Sequence, residues 1–141
     1  MNDRIRMQRL KLALRVISVF FVVGFLGFYV LVLLDSSLVA KDSLLGALLR
    51  WSPYHKAYEG MIVAVYSVWG IFLWRASNSP VENKSLIDFT IWANLAHAVE
   101  MLVAALVLEG ESMHFIGDVL MLALVAGVLY WLRPVSVAAP A

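Results

Sequence analysis

The sequence predicts an all-α integral membrane protein: a four-helix bundle with a short interfacial helix in its first outer loop. Three observations carry this fold class. The chain is 62% hydrophobic and only 15% charged, with a mean hydropathy of +0.85, whereas a soluble domain is closer to half apolar and a quarter charged. Four apolar segments, approximately 12–34, 54–74, 88–108 and 114–132, each supply about the 20 residues that span a ~30 Å hydrocarbon core. Their runs lack the alternation of barrel strands, and only helices or closed barrels satisfy backbone groups in lipid. Short connections predict antiparallel neighbours within a single domain over 1–141.

The first span follows Arg4, Arg6, Arg9, Lys11 and Arg15. Its apolar run is too long for the ~7–15-residue core of a signal peptide, and no small-residue cleavage site closes it, so it reads as a retained helix. With the N-terminus inside, the inner side also gathers Arg75, Lys84 and Arg133, leaving only Lys41, Arg50 and Lys56 outside. That asymmetry predicts cytoplasmic N- and C-termini in a bacterial inner membrane. Trp51, Tyr54 and Tyr58 mark an outer aromatic belt, and Trp74, Tyr130 and Trp131 an inner one. The lipid bilayer is thus the first partner. Basic residues that run straight into a span are a topology signal, which argues against nucleic acid.

In the first outer loop, "KDSLLGALLRW" places Leu44, Leu45, Leu48 and Leu49 on one face of a helix over about 42–50. Asp42 or Ser43 is available as its N-cap. It reads as an interfacial helix, or more sharply as a lid over an outward-facing cavity. "WSP" then predicts Ser52 as N-cap and Pro53 as the first residue of the second span. Gly60 with Ala64, and Ala123 with Gly127, have the small-xxx-small spacing of close helix contacts. The chain has no cysteine, which excludes disulfides, thiolate metal sites and thiol nucleophiles. It has no internal repeat of the inverted-transporter kind.

The informative residues are polar ones inside the spans, because an ionisable side chain at helix centre costs about 2.5–3.5 kcal/mol on insertion scales. Three stripes stand out by helical phase: His55, Glu59 and Tyr66; Asn94 and His97, with Glu100 about 60° round; and His114 with Asp118. If they face inward, Glu59, Tyr66, Asn94, His97, Glu100, His114 and Asp118 form a polar pocket open to the outer side. His97, Glu100, Glu59, His114 and Asp118 are suitable ligand types for a metal. However, the order His97-x-x-Glu100 occurs once and is the reverse of the Glu-x-x-His of di-iron bundles. A bis-histidine haem needs two histidines at similar depth, and His97 lies well below His55 and His114. A quinone or lipid headgroup needs only a His or Tyr donor beside an apolar slot. The plain alternative is that these groups hydrogen-bond across helices and fix the bundle's register.

Three stretches carry a resemblance: "WSPYHKAYEGMIVAVYSVWGIFL", "ENKSLIDFTIWANLAHAVEM" and "HFIGDVLMLALVAGVL". From about Trp51 to Pro134 the chain resembles a family of small bacterial membrane proteins known only as a domain of unknown function. The marks are Tyr58-Glu59-x-Met61-Ile62, Ser85-Leu86-Ile87, Asn94-x-x-His97, Met101 and His114-x-x-Gly117-Asp118. Glu100 departs from the pattern, which carries an apolar residue there. The resemblance implies four helices in a bacterial inner membrane and favours His97, Glu59, His114 and Asp118 as the shared polar set; it implies no activity or cofactor.

Three functions follow as expectations. The first is a ligand-binding or auxiliary subunit, acting within a larger membrane complex or a homo-oligomer. The second is a small membrane enzyme, proton relay or metal-binding protein using His97 and nearby carboxylates. The third is a purely structural subunit.

Overall fold

The first span reaches well beyond its apolar run. The computed structural model describes residues 2–134, and in it helix α1 (Asp3–Val19), a π-helical turn (Phe20–Gly24) and α2 (Phe25–Leu33) form one rod of 31 residues. The basic stretch is therefore helical. Asn2 caps it by accepting the Arg4 N–H at 3.1 Å. Arg6 donates to the carbonyls of Arg133 at 2.7 Å and Trp131 at 3.3 Å, tying the start of the chain to its last helix. Leu10, ahead of the apolar run, and Leu14, at its start, are both fully buried, so the helix gains apolar contact from its first turns.

The rod is followed by a 3-10 turn (Ser37–Val39), α3 (Leu44–Leu49), α4 (Lys56–Ala76), α5 (Lys84–Val107), a second 3-10 turn (Ser112–Phe115) and α6 (Asp118–Leu132). Asp3–Leu33, Lys56–Ala76, Lys84–Val107 and Ser112–Leu132 are long and apolar enough to cross a bilayer, making this a multi-pass membrane protein. Ser43 caps α3, its Oγ accepting the Gly46 N–H at 3.0 Å. Ser52 does not cap the second span as expected. Its N–H is drawn to Glu111 Oε1 at 3.3 Å, and α4 begins after His55.

The rod packs along α4, α5 packs along α6, and α1 also touches α6; α4 and α5 touch least, although a short loop joins them. The four spans thus form a ring with one thin seam, between α4 and α5. Rod and α4 approach closely at Gly70, where a methyl group would lie 2.8 Å from Val22 Cγ2 and 2.9 Å from the Ser18 carbonyl. Ser18 Oγ donates to the Gly70 carbonyl at 2.6 Å across this contact. Gly60 lies against Tyr29 of the rod, as a packing glycine should, but Ala64 is exposed. Ala123 and Gly127 are exposed with open space around Gly127, so their spacing marks no helix contact within the chain. Beside the π-helical turn, Phe25 stacks on Tyr66 at 4.5 Å and Phe21 meets the same ring edge-on at 4.8 Å.

Candidate functional site

At the end of the bundle that carries α3, two ion-paired groups latch the first loop onto the helices. His114, fully buried, stands between two carboxylates, with Nδ1 2.7 Å from Asp118 Oδ2 and Nε2 3.1 Å from Glu111 Oε2. Trp51 stacks on the imidazole at 3.9 Å and donates its indole N–H to Asp118 at 2.7 Å. Glu111, 3% exposed, also receives Lys41 Nζ at 2.8 Å and the Ser52 N–H. Arg50 grips Glu59 with two nitrogens, at 2.8 and 3.3 Å, and donates to the Val39 carbonyl at 3.0 Å. Gly117 lies under the Leu48 carbonyl, leaving no room for a side chain.

Burial disfavours charge on both Lys41 and Glu111, yet their mutual hydrogen bond prevails. Lys41 is held above the ordinary 10.5, helped by Tyr54, and Glu111 below the ordinary 4.5, helped by Ser52. Both ring nitrogens of His114 face carboxylate oxygens, and Nε2 also lies 3.3 Å from the Arg50 carbonyl, so the ring ties Glu111 and Asp118 to the first loop. Glu59, His114 and Asp118 therefore spend their hydrogen-bonding capacity on the latch. Lys41, Arg50, Trp51 and Glu111 complete it; the first three stand out in the sequence only as topology and belt residues, and none as part of a site. They lie outside the apolar runs, and Lys41 and Glu111 are 70 positions apart.

A second set of polar groups bridges the thin seam. Tyr66 Oη lies 2.9 Å from His97 Nδ1, and Trp69 donates to Thr90 Oγ1 at 3.0 Å. Tyr66 is buried with His97 as its hydrogen-bond partner, so we assign the phenol as donor, which places the imidazole proton on Nε2. His97 is half-buried and about 15 Å from the Val107 end of α5. Its Nε2 has no partner among the described residues.

Asn94 is fully buried; its amide donates to the Thr90 carbonyl at 2.8 Å, and Oδ1 meets no donor. An unsatisfied buried acceptor typically costs about 1–3 kcal/mol. Asn94→Leu is accordingly expected to leave the thermal unfolding temperature in detergent unchanged or raise it. A fall of several degrees would mean that Oδ1 has a partner, such as a bound water.

Glu100 lies on the outer surface of α5, exposed, with no partner among the described residues. Being about 60° round the helix from His97, it is carried out of the seam that His97 enters. The three polar stripes thus divide: Glu59, His114 and Asp118 join the latch, Tyr66, Asn94 and His97 belong to the seam or the core behind it, and Glu100 faces outward. Among the described residues no group of three or more His, Asp or Glu side chains is placed to hold a metal ion. A cleft of about 330 Å³, lined by Leu12, Val16, Leu124 and Val128 with Arg9 beside it, lies between the first and last spans, away from all of these groups.

No curated protein and no solved structure shows significant similarity to this chain. The likeness read from Trp51 to Pro134 extends over nearly the whole sequence: residues 7–139 match a family described as one of unknown function (DUF6632), and the chain belongs to that family.

Proposed function

We propose that the protein is an auxiliary subunit of the bacterial inner membrane, with both termini cytoplasmic, that works by docking another membrane helix on the outer face of α5. One observation carries this reading: Glu100 is a carboxyl group exposed on a membrane span, about 10 Å from the Val107 end, without a partner among the described residues. Tyr66, Trp69, Thr90, Asn94 and His97 each make at least one hydrogen bond within the chain, whereas Glu100 makes none among the described residues. Around Glu100 the exposed neighbours are Ala96, Val99 and Val103. An intramembrane charge facing hydrocarbon is expensive, and such residues pair with a complementary group. The orientation rests on the basic residues, with Arg4, Arg9, Arg75 and Lys84 at one end of the spans against Lys41, Arg50 and Lys56 at the other.

A second reading, a bilayer-borne ligand such as a quinone accepting a hydrogen bond from His97 Nε2, is favoured by the thinness of the α4–α5 seam.

Because the chain lacks cysteine, Val103→Cys can be labelled with a benzophenone in native membranes. A light-dependent protein adduct at Val103 is expected, lost when Glu100→Leu is added and absent for Val65→Cys on the exposed face of α4. Labelling of lipid alone at Val103 sinks the docking reading. Quinone-dependent quenching of tryptophan fluorescence that Tyr66→Phe and His97→Ala abolish would then favour the ligand.

A further inference from the structure

We infer that the helix docked on α5 is a second copy of this chain, seated so that Glu100 of each protomer accepts a hydrogen bond from His97 Nε2 of the other. This rests on the docking reading above and names the partner. A hydrogen-bond donor brought into the bilayer at the depth of Glu100 satisfies it, since a carboxyl group accepts in either protonation state. This chain carries such a donor. Tyr66 engages Nδ1 of His97, which leaves a partnerless Nε2–H on a half-buried ring. Acid and donor are one turn apart on the same helix, with Cβ atoms about 5–6 Å apart.

A two-fold axis along the membrane normal makes contacts reciprocal, residue i against j and j against i. It therefore brings Glu100 to the partner subunit's His97 and His97 to the partner subunit's Glu100 at once. The ~4.5 Å difference in depth is within reach of the two side chains. Both unpartnered groups of each copy are then satisfied. Ala93 and Ala104 lie one heptad-like step either side of the His97–Glu100 pair, and Ala96 beside it, so the backbones can approach closely. The exposed face of α4, with Met61, Ile62, Val65, Val68 and Ile71, offers nothing complementary to a carboxyl.

The test uses the full chain as the only protein in lipid vesicles. Fluorescence transfer between labelled copies should report a dimer, and oxidation of Ala96→Cys should give a disulfide-linked dimer while Val65→Cys stays monomeric. Glu100→Leu should weaken the dimer about tenfold or more, as expected for losing two interhelical hydrogen bonds, without lowering the unfolding temperature. When Glu100→Leu and His97→Leu chains are mixed in equal amounts, heterodimers should exceed the half of all dimers that random pairing gives, because only the heterodimer keeps one intact Glu100–His97 pair. A purely structural role for either residue would not produce that preference.

A dimer indifferent to Glu100→Leu, or mixing at the random ratio, overturns the inference. Monomers in vesicles, together with a Val103 adduct to a different protein in native membranes, overturn it while leaving the docking reading intact. Monomers with no protein adduct in either setting remove both.

Discussion

Gly70→Ala is expected to lower the unfolding temperature of the detergent-solubilised protein sharply, whereas Gly27→Ala should leave it unchanged or raise it. At Gly70 the added methyl would press on Val22 Cγ2, the Ser18 carbonyl and Phe21 Cβ within about 3 Å. Two of these belong to residues that are themselves buried, and one is backbone, so the rod must move away from α4. Overpacking of this kind typically costs about 1–3 kcal/mol. Separation would also break the 2.6 Å bond from Ser18 Oγ to the Gly70 carbonyl, about 0.5–1.5 kcal/mol more. Against this, alanine is intrinsically the better helix former by about 1 kcal/mol. At Gly27, where nothing lies within 4 Å, only that gain remains. Equal unfolding temperatures for the two variants would mean that the contact at Gly70 is looser than the geometry shows.

Glu111→Gln is expected to release the first loop, the cap that the latch holds on the bundle, while the spans stay assembled. The carboxylate is 3% exposed and serves Lys41, His114 and the Ser52 N–H together. Removing one partner of a buried ion pair costs about 3–5 kcal/mol, and the partial exposure of Lys41 points to the lower end. Because the latch acts on the loop, local opening should show it first. Amide exchange over residues 37–50 should quicken about a hundredfold while that of α6 is little changed.

The pH dependence follows from the same pair. Glu111 titrates below its ordinary value in the folded protein, so its contribution is complete above about 4.5 and is lost as pH falls through the lowered folded value. Lys41 titrates above its ordinary 10.5, so its contribution is complete below that pH and disappears only in stronger alkali. The cap should hold through the neutral range and open in acid, and Glu111→Gln should abolish the part of that acid response due to this carboxylate. Cap exchange in the native protein that is flat down to pH 2 would contradict the assignment.

The spans were legible because span identity is local and additive. About twenty consecutive apolar residues decide it, whichever way each side chain points. The early start of the first helix was not legible, since Arg4, Arg6 and Arg9 are unremarkable as a polar tail. Only the docking of Arg6 on the carbonyls of Trp131 and Arg133 shows that the stretch is helix packed on helix. Ser43 as a cap was readable because its bond reaches only three residues. Ser52 misled because a partner 59 positions away, Glu111, took its N–H.

The polar residues divide in the same way. By itself the sequence determined that Asn94, His97 and Glu100 lie within one span, and by spacing that Glu100 points about 60° away from His97. It could not determine which neighbour each would meet, because that depends on how each helix is rotated about its axis. Close contacts set the rotation: Gly70 against the rod and Gly117 beneath Leu48. With those rotations in place, His97 meets Tyr66, His114 meets two carboxylates, and Glu100 is left facing out. A turn of 100° per residue means that small changes in helix rotation exchange one partner for another, so tertiary packing alone decided which polar groups hold the bundle and which one remains for a partner.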